Sequence, residues 1–200
     1  MLQREVQALL DEGVTYIQLD SLRYVIELAD VRRRQQMLQA GEDLDQALEN
    51  TIAADNATLR NARRPSVTIA MHMCRGNNRS AWRSEGGYDV VAERAFASLD
   101  VDRFLLEYDT ERAGGFEPLR FMPSDKVVVL GLISSKNPQL ESQDQLLRRI
   151  DEAAKYVPIE NLALSPQCGF ASTAPGNMLS PEEQKRKLEL VVDTARKVWG

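Results

Sequence analysis

The feature that most constrains the fold of this chain is an alternation of short apolar runs with longer amphipathic segments. The apolar runs are rich in β-branched and aromatic residues, which favour pleated strands. Nearly continuous apolar runs are typical of strands covered on both faces in a parallel sheet, and the amphipathic segments between them predict helices. The predicted strands span 14–20, 66–74, 103–108, 126–133 and 161–165, and the predicted helices span 1–12, 22–63 with a break at Gly41, 89–99, 142–156 and 180–199.

Parallel strands that alternate with helices place the chain in the α/β class. Five strands fit either an open doubly wound sheet or part of a (β/α)8 barrel, the TIM barrel. A complete barrel takes about 250 residues, whereas this chain has 200. The strand count alone does not distinguish the two architectures. A chain of this length is expected to form one domain over 1–200.

The composition argues against several kinds of partner. The chain has 25 Lys and Arg against 30 Asp and Glu, a net charge of -5, and its basic residues are spread out, so nucleic acid is not an expected partner. No apolar run reaches the roughly 20 residues of a membrane helix, and residues 1–5 lack the apolar core of a signal peptide. These features predict a cytoplasmic protein. Its two cysteines, Cys74 and Cys168, exclude a disulfide-stapled scaffold but allow one bridge or one shared metal.

Four side chains of the metal-binding type lie at the ends of three predicted strands. His72 and Cys74 are two residues apart on one strand, so they project to the same face. Cys168 follows the fifth strand, and Glu107 ends the third, where an inward carboxylate is costly without a cation. Because the carboxyl ends of parallel strands meet at one rim, these donors are expected to converge. Two thiolates, an imidazole and a carboxylate suit tetrahedral Zn²⁺, and donors from separate strands favour a catalytic site over a structural one.

Other polar residues occupy corresponding positions after the predicted strands. Asp20 ends the first strand, where its carboxylate would either bind a substrate ammonium group or cap the following helix. Arg75 and Asn77 lie in the loop after Cys74, where they would hold a carboxylate or phosphate, or simply face solvent. Lys136 follows the fourth strand and would supply a proton or a charge as a catalytic residue.

Three segments resemble, in order, the zinc-binding signatures of the cobalamin-independent methionine synthase family. They are MHMC at 71–74, LEY at 106–108 and LSPQCG at 164–169. The segment YIQLD at 16–20 is similar to the family's strand that ends in a substrate-binding aspartate. The resemblance covers nearly the whole chain.

The resemblance implies a zinc centre built from the four donors named above, with Asp20 holding the amino group of homocysteine. Zinc would activate this small thiol for attack on an alkyl donor, which in the family is a methylated folate. Lys136 lies where methionine synthases place a proton-donating histidine. The chain resembles only the C-terminal five of the family's eight βα units, which implies either a homo-oligomer or a complementing N-terminal half-barrel.

The sequence is compatible with three functions. The first is zinc-dependent alkyl transfer to a small thiol. The second is a catalytically silent half-barrel that acts as a structural or assembly module, whose exposed strand edges would make it self-associate. The third is a zinc-free barrel enzyme that uses Asp20, Glu107 or Lys136 in acid–base chemistry, with the cysteines and the histidine as ordinary buried residues.

Overall fold

A computed structural model describes residues 1–62 and 65–200 of the chain. Numbered along the chain, its strands are β1 (Tyr16–Ser21), β2 (Thr68–Met73), β3 (Asn77–Asn78), β4 (Ala81–Trp82), β5 (Arg103–Glu107), β6 (Val127–Ile133) and β7 (Leu162–Pro166). Five of them form one sheet in the order β1-β2-β5-β6-β7, and each neighbouring pair is parallel. The short strands β3 and β4 form a separate antiparallel hairpin. The predicted α/β class and its five parallel strands are confirmed, and the sheet is open, as an incomplete barrel would be.

Helices separate the strands, largely where the amphipathic segments predict them. The α- and π-helices are α1 (Leu2–Asp11), a π-helix (Arg23–Ala29), α2 (Val31–Gln39), α3 (Leu44–Leu59), α4 (Asp89–Ser98), α5 (Gln143–Ala153) and α6 (Pro181–Trp199). Short 3-10 helices lie at Glu111–Ala113, Glu117–Phe121 and Ile159–Asn161. Helix α6 begins as predicted: Ser180 Oγ accepts a hydrogen bond from the N–H of Glu183, and the Glu183 carboxylate accepts one from the N–H of Ser180. Across the described ranges, no helix is both long enough and apolar enough to span a membrane.

The segment predicted as one helical region broken at Gly41 contains a further break at Asp30. The backbone of Asp30 is extended, and its carboxylate accepts hydrogen bonds from two N–H groups in the first turn of α2. The residues before it form the π-helix rather than an α-helix. Asp30 is therefore an N-cap that divides the region, because its side chain satisfies donors that a continuing helix would bond internally. The predicted end of this region at Arg63 lies outside the described residues.

The two faces of the sheet carry different kinds of side chain. On β2 and β5, alternate residues such as Met71, Met73 and Phe104 are fully buried. The Phe104 ring packs edge-on against Phe96 of α4, with 5.1 Å between the ring centroids. Because side chains alternate along a strand, the residues between them project to the opposite face. That opposite face carries the polar residues described next.

Candidate metal centre

The structure brings the four predicted metal donors together. His72 lies near the carboxyl end of β2, and Cys74 follows that strand. Glu107 ends β5, and Cys168 follows β7. One potential ligand atom from each of the four lies within 4.8 Å of the others. The cluster is mostly enclosed, since the Glu107 side chain is fully buried and only Cys168 is partly exposed.

The distances within the cluster fit a tetrahedral zinc ion. Zn–S bonds near 2.3 Å place two sulfur ligands about 3.8 Å apart, and the Cys74 and Cys168 Sγ atoms are 3.7 Å apart. His72 Nε2 lies 3.5 Å from Glu107 Oε1, close to the spacing of about 3.3 Å for nitrogen and oxygen ligands at about 2.0 Å. Neither of these two buried atoms has a hydrogen-bond partner of normal geometry among the described residues. The donor set and its spacing therefore fit zinc.

The pKa values in the cluster reflect the close contact of its groups. The hydrogen bond with Cys74 lowers the pKa of the Cys168 thiol to about 3, against the effect of burial. The same contact, together with burial, raises the pKa of Cys74 far above its usual value. Burial would lower the pKa of His72, but its close contacts with Cys168 and Glu107 raise that pKa to about 10. Because metal ligands must be deprotonated, protons and a metal ion compete for this cluster.

Gly131 on β6 provides space that the cluster needs. It pairs with Glu107 of β5 in the sheet register. A Cβ atom at Gly131 would lie 2.8 Å from the Cα of Gln167 and 2.9 Å from the backbone oxygen of Leu106. Backbone atoms cannot rotate away as a side chain can, so a side chain at this position would push apart the strands that carry Glu107 and Cys168.

The cluster opens into a cavity of about 400 Å³. His72, Cys168 and Asp20 are among the residues that line it. Asp20 lies opposite His72 in the register of β1 and β2, and burial raises the pKa of its carboxyl. The residue before the next helix is Leu22, and that helix has no side-chain cap, so Asp20 does not take the alternative role of helix cap. Asp20 is thus positioned beside the cluster and faces the same cavity.

Arg75 and Asn77 do not line this cavity in the described structure. Arg75 is fully buried, and its guanidinium stacks on the ring of Tyr88 at 4.7 Å from the centroid. It also donates a hydrogen bond to the backbone oxygen of Gly86. Two Arg75 nitrogens, Nε and Nη2, and the side-chain amide of Asn77 have no hydrogen-bond partner within the described residues. A role for either residue in substrate binding stays a prediction.

Lys136 is buried close to the cluster but lines a different cavity, of about 490 Å³. Its Nζ donates a hydrogen bond to the backbone oxygen of Gly76 at 3.2 Å, and the N–H of Gly76 donates to Cys74 Sγ at 3.3 Å. Burial and the nearby Arg112 guanidinium lower the pKa of Lys136, and Glu107 opposes them. Gly76 therefore links the Lys136 ammonium group to Cys74, one of the four candidate metal donors.

Two residues at the site were not predicted from the sequence. Gln167 lines the first cavity, and its Oε1 accepts a hydrogen bond from Ser135 Oγ at 2.6 Å. Arg112 is buried behind Glu107, with Nη2 3.5 Å from Glu107 Oε2. The available signal was proximity in sequence, because Gln167 precedes the candidate donor Cys168 and Arg112 follows Glu107 by five positions.

Comparisons with known proteins show the family to which the chain belongs. Residues 1–197 match the family described as cobalamin-independent synthase, catalytic domain. YxjG of Bacillus subtilis is 44% identical over 199 residues, which cover 98% of this chain and 52% of YxjG. A 5-methyltetrahydropteroyltriglutamate–homocysteine methyltransferase from Bacillus licheniformis is 27% identical over 201 residues, 100% of this chain and 23% of that enzyme.

The fold also matches solved structures. A putative vitamin-B12 independent methionine synthase from Listeria monocytogenes superposes with a TM-score of 0.73 at 32% identity, over 100% of this chain and 53% of that protein. A B12-independent methionine synthase from Shewanella has a similar fold, with a TM-score of 0.70 at 20% identity, over 98% of this chain and 52% of that protein. The chain spans about half the length of YxjG. The match to the family over almost every residue confirms the resemblance found in the sequence: the chain belongs to the cobalamin-independent methionine synthase family.

Proposed function

We propose that the chain takes part in zinc-dependent transfer of a methyl or other alkyl group to a small thiol such as homocysteine. The observation that carries this proposal is the meeting of His72, Cys74, Glu107 and Cys168 within 4.8 Å, beside an open cavity. Bound zinc would lower the pKa of a thiol ligand, so that a nucleophilic thiolate is available near neutral pH. Membership of a methyltransferase family supports this chemistry.

Asp20 and Gln167 are proposed to orient the thiol substrate in the first cavity. An amino-acid thiol carries an ammonium group, which the carboxylate of Asp20 in the first cavity would bind. The Gln167 amide has its oxygen engaged by Ser135, while its Nε2 has no hydrogen-bond partner in the described part of the chain. That N–H₂ group would donate to the substrate carboxylate. Two opposite charges on the substrate would thus meet complementary groups.

X-ray absorption at the zinc edge tests the proposed function. The protein loaded with zinc should show about two sulfur neighbours at about 2.3 Å, and added homocysteine should raise the sulfur count to about three. Homoserine, which has a hydroxyl in place of the thiol, is the matched control and should leave the spectrum unchanged. A reduced protein that takes up no zinc, or a sulfur count that homocysteine leaves unchanged, would contradict the proposal.

We also propose that strands from outside this chain complete the sheet into a barrel. The sheet has two ends, β1 and β7, and each is paired on one side only within the described residues. A closed barrel has eight strands, three more than this sheet contains. The chain spans 52% of YxjG, so the remainder of such a relative is long enough to supply them. The alkyl donor, proposed to be a methylated folate, would then bind between the two parts, where Arg75 and Asn77 are candidates for contact.

Lys136 is proposed to supply a proton or a positive charge during the transfer. In the completed assembly, Lys136→Met should lower the rate of methyl transfer by about 100- to 10,000-fold, the usual contribution of general acid–base catalysis. Its zinc content should stay at the wild-type value, because Lys136 is not a ligand. The exposed Lys155 offers a matched control, and Lys155→Met should be fully active. A Lys136→Met protein with the wild-type rate would remove Lys136 from the mechanism.

A further inference from the structure

Arg112 is a buried cation in direct contact with one of the proposed metal ligands. Its side chain is 1% exposed, and its Nη2 lies 3.5 Å from Glu107 Oε2 and 3.6 Å from Asp109 Oδ1. Its Nη1 lies 3.4 Å from the backbone oxygen of Ser84, to which it donates a hydrogen bond. The other carboxylate oxygen of Glu107, Oε1, faces His72 Nε2. The guanidinium thus contacts Oε2 of Glu107, whereas His72 contacts Oε1.

The β3–β4 hairpin holds the guanidinium in this position. The ring of Trp82 lies 4.9 Å from the central carbon of the Arg112 guanidinium. Arg79 and Ser80 form the hairpin turn with positive φ angles of 49° and 65°, a conformation that non-glycine residues rarely adopt without other contacts. Ser80 Oγ supplies such a contact, since it accepts a hydrogen bond from the N–H of Met178 at 2.9 Å. The hairpin therefore connects Arg112 with the loop that follows Cys168.

The net negative charge of the proposed zinc centre also favours a cation next to Glu107. Two thiolates and one carboxylate around a divalent ion, with a neutral histidine, leave one net negative charge. A net charge in a buried site is costly unless an opposite charge lies nearby. Glu107 is completely buried, so water does not solvate its distal oxygen. Arg112 supplies a positive charge in contact with that oxygen.

We propose that Arg112 is a positioning residue of the metal centre, which acts through Glu107 and is itself held by Trp82. This inference rests on the proposed zinc site. The contact with Glu107 is an ion pair at 3.5 Å. Outer-shell partners of metal ligands orient those ligands, and their loss typically weakens metal binding by about 10- to 100-fold. The guanidinium fixes the carboxylate so that Oε1 points toward His72. Its positive charge, which it shares between Glu107 and Asp109, reduces the net negative charge around the centre.

The test measures metal binding rather than activity. Arg112→Met removes the charge and keeps much of the length, and it should weaken zinc binding by about 10- to 100-fold in competition with a chromophoric chelator. Arg112→Lys keeps the charge but loses the planar fork, so it should restore part of the affinity. The visible absorption spectrum of the cobalt-substituted protein should shift in both variants, because it reports ligand geometry. Arg149→Met is the matched control, since that guanidinium stacks on Phe116 rather than contacting a ligand.

A double-mutant cycle decides whether Arg112 acts through Glu107. If Arg112 acts through Glu107, Arg112→Met should have little effect on zinc affinity in a Glu107→Gln background, because the carboxylate that Arg112 orients is absent there. Equal effects in both backgrounds would overturn the inference, as would wild-type affinity and cobalt spectrum in Arg112→Met. If Arg112→Met does not fold, Arg112→Lys decides instead, and an unchanged affinity and spectrum in that variant would overturn it. A wild-type protein that binds no zinc would overturn the proposed function itself, which is a separate outcome.

Discussion

Replacing Cys168 with alanine should remove nearly all zinc from the protein. The variant keeps Cys74, His72 and Glu107 as donors, with one side of the tetrahedron open to the cavity. Losing a ligand should cost more affinity than the roughly 100-fold that loss of an outer-shell partner costs. In reduced and dialysed protein, we expect the zinc content measured by mass spectrometry to fall from about one ion per chain to a small fraction of that.

The neighbouring residue provides the control for this experiment. Among the described residues, a Cβ added at Gly169 would approach only Ser172 Oγ, at an ordinary contact distance of 3.8 Å. Gly169→Ala should therefore keep its zinc, whereas Cys74→Ala should lose it as Cys168→Ala does. Full and tight zinc loading of Cys168→Ala would mean that the four residues do not form one metal centre. The zinc-free enzyme would then be the better hypothesis.

The sheet and the convergence of the four candidate donors could be predicted because each depends on a local pattern and one general rule. The run from 126 to 133 is apolar at almost every position, so it reads as a strand covered on both faces. The carboxyl ends of parallel strands share one rim. This rule predicts that His72 and Cys168 lie close together, although they are 96 residues apart in the sequence. The family resemblance then pointed to the same four donors.

The hairpin at 77–82 was not predicted because its sequence lacks the usual signals. Each of its strands has two residues, too few for a hydrophobic period. The turn uses Arg79 and Ser80, whereas Asn and Gly are the residues that favour such turns. The role of Arg112 depends on this hairpin and on a contact across the loop after β5, so no periodic pattern in the sequence reveals it.

The burial of Arg75 also could not be predicted from the sequence. An arginine in a polar loop is usually exposed, and here it is fully buried against Tyr88. The break at Asp30 is comparable, because an Asp within a helical segment caps a new helix only if the backbone turns there. Both outcomes depend on tertiary packing rather than on local propensity.

Strands added at the edges of the sheet should convert the chain from a self-associating species into a defined complex. The face of β1 that carries Asp20 is open to solvent: Tyr16 is 44% exposed, and Gln18 is also exposed. Barrel interiors are normally filled by layers of side chains, and unpaired strand edges promote association between copies. Alone, the 200-residue chain should form mixed oligomers in size-exclusion chromatography with light scattering. With the part of YxjG that it does not match, it should form a one-to-one complex.

A proline at Gln18 tests whether the partner pairs with β1. The backbone oxygen of Thr15 accepts a hydrogen bond from Thr68 of the neighbouring segment, and the direction of backbone groups alternates along an extended chain. The N–H of Gln18 therefore points away from β2, toward the unpaired edge. Gln18→Pro removes this donor and should weaken the complex strongly, whereas Gln18→Ala keeps it and should bind normally. If both variants bind equally well, the partner does not complete the sheet at β1. A wild-type chain that is a monodisperse monomer and does not bind the partner would contradict barrel completion altogether.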